Sequence, residues 1–206
     1  MLAEPLLRPG VTACIAAHPG RFSNGKLNRA LQSVTAQTRQ PDAVIVSNDR
    51  GGRSAAWNRQ QILDQVTTEW MAWLDSDDEW LPRHLEALLE VAEHTGAAFV
   101  FPWFEPVGSP DPLGHFGLPF NPATPHHTTI TFLVRTELAK RVGFSDAYLT
   151  ATPERRHGGE DWLHIVGMCA IAVEEHLPMV HLPERTWLWH IDGGNTSGVA
   201  GQGDAA

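Results

Sequence analysis

Short apolar runs alternate with amphipathic stretches over the first hundred residues, and this alternation leaves few architectures open to the chain. The run from Val11 to Ala17 is short and almost uniformly apolar, so it reads as a buried strand, closed by the turn signal His18-Pro19-Gly20. A helix should follow, because Leu27, Ala30, Leu31 and Val34 fall on one face; Ser23 or Asn24 can cap it, and Pro41 lies past its end. Ala43 to Val46 reads as a second strand running into a polar stop. Ser54 is placed to cap a second helix with Ile62, Leu63 and Val66 as its inner face. Trp70 to Leu74 is a third strand. Leu85, Leu88, Leu89 and Ala92 mark a helix that starts near Leu81, has Pro82 in its first turn and stops at Gly96, before a fourth strand from Ala97 to Phe104. Strand, helix and strand at this spacing imply parallel crossovers. The expected fold class is therefore α/β, a single Rossmann-like, mostly parallel sheet flanked by helices, with a ligand crevice beyond the carboxyl ends of its strands.

From Glu105 to His127 the chain is rich in Pro and Gly and has little periodicity, which reads as a long loop of the kind that is either functional or disordered. Regularity returns with a strand at Thr129 to Val134 and a short helix at Thr136 to Val142. A helix is expected from Asp161 to Ile171, with Trp162, Ile165, Val166 and Cys169 facing inward, and extended chain from Pro178 to Ile191. Cys14 and Cys169 sit in apolar surroundings and read as buried free thiols. The 24 acids outnumber the 15 Lys and Arg, a net charge of -9, which argues against a nucleic-acid clamp. Eleven histidines near pH 6 could carry that charge toward +2. With no apolar stretch of membrane-spanning length and no signal-peptide pattern, a cytoplasmic protein without strong nucleic-acid or membrane binding is expected.

Chemistry concentrates where the third strand runs into Asp75-Ser76-Asp77-Asp78. Three carboxylates within four residues repel one another unless a cation or a basic partner relieves them. Hard oxygen ligands suit Mg²⁺ or Mn²⁺. The bland alternative is that Asp77 or Asp78 caps the following helix, which explains one acid and leaves two. Asn48 and Asp49 end the second strand on the same side of the sheet. A second acidic pair, Glu160 and Asp161, opens a later helix, where acids are often only partners of the helix dipole.

The segments LQSVTAQTRQPDAVIVSND, NRQQILDQVTTEWMAWLDSDDEWLPRHLEALLE and GGEDWLH resemble, in order and spacing, the family-two glycosyltransferases of the A-type (nucleotide-diphospho-sugar transferase) fold, over most of residues 11–200. In that family a strand ends in an Asp at the nucleotide base, an Ala-Arg-Asn helix follows, then Leu-Asp-x-Asp-Asp with Trp-x-Pro, and later a Glu-Asp pair. The resemblance implies that Asp49 meets the base of a nucleotide-sugar, that Asp75 and Ser76 lie by its ribose, and that Asp77 and Asp78 hold Mn²⁺ or Mg²⁺ on the diphosphate. Ala17, His18 and Arg21 stand where the family has its first donor loop; His18 and Arg21 either line the pocket or are ordinary turn residues. The family's Ala-Arg-Asn is here Ala56-Trp57-Asn58. Arg53 or Arg59 can restore the missing charge, Trp57 either stacks on the base or packs in the core, and Asn58 stays with the donor pocket.

The same resemblance makes Asp161 the general base toward an acceptor hydroxyl, with Glu160 orienting the acceptor. Trp162 either covers a sugar face or packs in the core, and His127, beside His126, lies where acceptor contacts are expected. The segment from Trp187 to Ser197 is similar to the family's closing segment, which implies a metal or diphosphate contact for His190. Residues 1–192 should then form one catalytic domain, with a nucleotide-binding half about 11–104, an acceptor half about 105–192 and a Gly-rich tail at 193–206. The implied activity is metal-dependent transfer of a hexosyl group from a nucleotide-diphospho-sugar, UDP-sugar first, to an acceptor hydroxyl with inversion. Two other readings compete: a sugar-phosphate nucleotidyltransferase, whose basic phosphate loop His18-Pro19-Gly20-Arg21 matches poorly, and a non-catalytic sugar- or protein-binding module. Nothing in the composition names the acceptor.

Overall fold

The computed structural model describes residues 7–17, 25–48, 53–111, 114, 117–125, 131–145 and 159–191. The first expected strand lengthens to β1 (Arg8–Ala17) and lies between two parallel neighbours, β2 (Ala43–Asn48) and β3 (Thr68–Asp75). Beyond β3 the sheet continues through a three-residue strand at Leu133–Arg135, then β5 (Phe99–Val107), then a strand at Met179–His190, and ends on a two-residue strand at Glu79–Trp80. In chain order the two-residue strand is β4, the three-residue strand β6 and the last β7. Among the described residues the sheet order is thus β2-β1-β3-β6-β5-β7-β4. The five longer strands all run one way, and only the short β6 and β4 oppose them. The expectation of a mostly parallel sheet holds for the long strands; the sheet as a whole is mixed.

Helices cover both faces, as parallel strands buried on two sides require. On one face α1 (Lys26–Thr35) and α3 (His84–Thr95) bury Leu27, Ala30, Val34, Leu85, Leu88 and Ala92 against Ala13, Ile15, Ala72 and Leu74. On the other, α2 (Ala55–Gln65), α4 (Thr136–Val142) and α5 (Glu160–Glu174) pack Ile62, Leu63, Leu138, Ile165 and Met168 against Cys14, Met71, Trp73 and Phe99. Alternate residues of β3 serve the two cores, which is the period-two geometry of a strand. Both cysteines are buried and unpaired, and burial pushes the Cys169 thiol up to about 12.

The local signals largely hold. Ser54 caps α2, its hydroxyl accepting from the Trp57 N–H at 3.1 Å, and Gly96 ends α3 at φ 68°, a conformation open to glycine without strain. Ahead of α1 the N-cap is Gly25 with no side-chain cap, and Ser23 and Asn24 lie outside the described residues. Three expectations change. The helix expected near Leu81 begins at His84, because the residue before Pro82 is pushed into extended geometry and the segment pairs with β7 instead, Trp80 opposite Trp187 and the Leu81 N–H on Thr186 O at 2.8 Å. Glu105, Pro106 and Val107 belong to β5 and not to a loop, paired with Leu188, Trp189 and His190. On α5 the inward residues are Glu160, His164, Ile165, Met168 and Cys169, while Trp162 and Val166 are half-buried.

Histidine also behaves less uniformly than its count suggests. His84 is stacked on Trp80 and His164 on Phe144, and burial holds their pKa values down to about 3 and about 4. Neither charges near pH 6, so the swing to +2 is out of reach.

Candidate functional site

The parallel register brings the strand ends level. Ala17 is opposite Asn48, Ala16 opposite Asp75, and Val107 opposite His190, so five strands finish at one rim of the sheet. Asn58 on α2 secures part of that rim: its Nδ2 donates to Ala17 O at 3.1 Å and its Oδ1 accepts from the Ser47 hydroxyl. Both ends of the amide are thereby engaged in holding β1 and β2 together, which places Asn58, expected in the donor pocket, at the rim where those two strands end.

The acidic turn after β3 is buried. Ser76, Asp77 and Asp78 are all less than one-tenth exposed, and no helix begins there, so neither Asp77 nor Asp78 is a cap. The Asp78 N–H closes the turn on Asp75 O at 3.1 Å, and Asp78 Oδ1 accepts from the His190 N–H at 2.9 Å. Glu79, the next acid, receives His190 Nε2 at 2.6 Å and lies 3.2 Å from Arg29 Nε, while Arg29 also donates to Asp77 O. The His190 expected at the metal thus stands directly beside the turn, with its Nε2 on Glu79. Burial, then the charges of Asp77 and Asp75, push the Asp78 carboxyl well above its ordinary range, against the pull of the His190 N–H and Arg29.

This has a stability consequence of definite sign. Between the ordinary carboxylate pKa and the raised one, native Asp78 holds a proton that the unfolded chain has released, so stability falls as pH rises through that window. Asp78→Asn, which keeps an acceptor for the His190 N–H, should stabilise the protein in EDTA by about 0.5–2 kcal/mol at neutral pH. Urea melts at pH 7 and at a pH below the ordinary carboxylate range check this, since the gain should vanish in the second.

The two acid motifs meet through Arg59. Its guanidinium, projecting from α2, places Nη2 2.9 Å from Asp75 Oδ1 and Nη1 on Glu160 Oε1. Burial opposes the Arg59 charge, but Glu160, Asp75 and Asp161 outweigh it and hold the guanidinium ionised. Burial raises the carboxyls of both Glu160 and Asp161, with Arg59 pulling each back down. Gly159, at φ 90°, lets the chain enter α5 so that Glu160 faces inward and the Asp161 carboxylate accepts its neighbour Trp162's N–H at 2.7 Å. Of the two arginines that could restore the missing charge, Arg59 does so within the site. Arg53 instead lies over the Trp57 ring, 4.4 Å from its centroid, and Trp57 is half-buried, which removes the plain-core reading of that residue.

His18, Arg21, Asp49 and His127 fall outside the described residues. Among the described residues no group of three or more His, Cys, Asp and Glu side chains is disposed to hold a metal ion, and no helix is long and apolar enough to cross a membrane. Sequence reasoning gave no role to Arg29 or Glu79. Glu79 was visible as a fourth acid in the run, whereas Arg29 carries no signal, since an arginine on a helix usually faces water.

Residues 50–149 match the family model described as glycosyl transferase family 2. No curated protein matches the sequence. Crystal structures of TarS from S. aureus share the fold. TarS 1–349 in complex with UDP-GlcNAc superposes with a TM-score of 0.69 at 14% identity, over 90% of this chain and 59% of that one. The complex of TarS 1–349 with UDP gives 0.65 at 13% over 88% and 60%, and a further TarS structure gives 0.67 at 13% over 88% and 36%. The chain therefore spans about three-fifths or less of these proteins, and at such identities the likeness is one of fold.

Proposed function

We propose that this chain is a family-two glycosyltransferase with the A-type fold and that it moves a sugar from a UDP-sugar to an acceptor hydroxyl in one metal-assisted, inverting displacement. The observation that carries the reading is the meeting of two distant acid motifs at one rim of the sheet, bridged by Arg59. The rim is where an open α/β sheet takes its ligands. The UDP and UDP-GlcNAc bound by TarS, on the same fold, favour a uridine nucleotide.

The buried acids of the turn suit a hard divalent cation. Mg²⁺ is commonly held by one or two carboxylates plus substrate phosphates and waters, so Asp77 and Asp78 need no third protein ligand, and the repulsion within the turn is what a cation would relieve. Bound there, a cation supplies Lewis-acid stabilisation of the departing diphosphate. Asp75 and Ser76 lie on the ribose side, with His190 and Glu79 holding the far flank of the turn. Asp161 takes the proton of the acceptor hydroxyl as its oxygen bonds to the anomeric carbon. The bond from that carbon to the diphosphate oxygen breaks with its electron pair leaving on the diphosphate. One displacement of this kind inverts the anomeric centre. Trp162, half-exposed on the first turn of α5, lies on the acceptor side.

The test is incubation with a panel of nucleotide-sugars and Mn²⁺, scored for nucleoside diphosphate released by slow hydrolysis. Release from a UDP-sugar is expected; pyrophosphate in its place, or silence with every donor, would overturn the reading. Titration calorimetry with UDP then addresses the metal: Mn²⁺ should tighten binding to the wild type, and Asp77→Ala should lose that gain. Equal affinity with and without Mn²⁺ in the wild type rejects the metal role.

A further inference from the structure

Arg59 occupies an unusual position for a helix residue of the chain's interior. It is 8% exposed and joins three elements, reaching from α2 to the end of β3 and to the start of α5. A guanidinium fork fixes two carboxylates in a set mutual orientation, which a single ammonium point charge does not. The Asp161 carboxylate follows immediately on the clamped Glu160, so this side chain ties the first turn of α5 to the end of β3.

We propose that Arg59 is a positioning residue: its fork sets the place of the Asp161 carboxylate relative to a donor held at Asp75, so that the rate of transfer, and not donor affinity, depends on it. This rests on the reading of Asp161 as base and Asp75 as donor-side residue. The charged and titratable groups that face Arg59 are Asp75 on β3 and Glu160, Asp161 and His164 on α5. Its charge favours the ionised Asp161 against the effect of burial, so its loss should move the acidic limb of the rate profile to higher pH.

The experiment compares Arg59→Lys and Arg59→Gln with the wild type in Mn²⁺-dependent hydrolysis of UDP-GlcNAc, with UDP affinity by calorimetry and thermal unfolding measured on the same samples. Arg59→Lys should fold and lose roughly 10–100-fold in kcat, because a misplacement of about 1 Å costs that much. Its UDP Kd should stay within about twofold of the wild type, the pattern of an interaction made only on the way to the transition state. Arg59→Gln should lose more and show the acidic limb displaced upward; if it does not fold, the lysine variant carries the test. A loss of UDP affinity matching the loss of kcat would make Arg59 a donor contact. An unchanged kcat per folded molecule beside a lowered Tm would make it structural support only. Either result overturns the proposal while leaving the glycosyltransferase reading intact, whereas a wild type that neither binds UDP nor hydrolyses any nucleotide-sugar overturns both.

Discussion

Asp161→Asn should bind donor as the wild type does and turn it over roughly 10²–10⁴-fold more slowly, the usual worth of a positioned general base. The substitution keeps the shape of the side chain and an oxygen to accept the Trp162 N–H, so the start of α5 has no reason to move. It also removes a carboxylate whose ionised form burial disfavours, so the variant should be at least as stable as the wild type. The wild type should lose activity on acidification, since a base works only when ionised, and the limb should lie above the ordinary Asp range because burial raises both Asp161 and Glu160. The two acids titrate as a pair, and the apparent value belongs to both. Hydrolysis of whichever UDP-sugar the wild type turns over, followed across pH for both proteins, is the measurement. Unchanged turnover in Asp161→Asn would remove the base assignment.

The largest effect on stability is expected at Trp187. Its side chain is fully buried, its ring centroid lies 5.3 Å from that of Phe104, and its backbone pairs with Trp80 in the β4–β7 ladder that follows the acidic turn. Trp187→Ala should therefore cost about 3–5 kcal/mol, a fall in Tm of roughly 6–20 °C for a chain of this size. Trp187→Phe should cost less than about 1.5 kcal/mol, because ring packing survives and the indole N–H has no partner to lose. Urea and thermal melts of both variants test this, and similar losses in the two would show that something other than core volume holds the ladder. Because His190 lies three residues further along β7 and donates to Asp78, the alanine variant should also weaken Mn²⁺-dependent UDP binding.

Much of this arrangement is legible in the order of residues. The apolar runs that became β1, β2 and β3, the cap at Ser54, the stop at Gly96 and the acids at a strand end are local statements, each decided by a few neighbouring residues. The failures have a common cause. An amphipathic pattern that begins only later suggests a helix at Leu81, and the Pro- and Gly-rich stretch suggests a loop at Glu105 to Val107, yet Leu81 extends from β4 with its N–H on Thr186 and Glu105 to Val107 continue β5, because β7, about a hundred residues away in sequence, supplies the partner. Helical spacing points Trp162 inward, but the entry set by Gly159 turns Glu160 and His164 to the core and leaves the indole half-exposed.

The sequence by itself determined that the chain is an α/β protein with acids where a parallel sheet offers its ligand site, because periodicity and strand-end chemistry are short-range properties. Only the tertiary structure decided which cation answers which acid. Arg59, absent from the expected Ala-Arg-Asn position, reaches Asp75 and Glu160 across three elements, and Arg29 reaches Glu79 from the opposite face of the sheet. Charge pairing falls off with distance in space and is indifferent to distance along the chain. The net charge of -9 was fixed in the sequence, but the balance at the site was settled by folding.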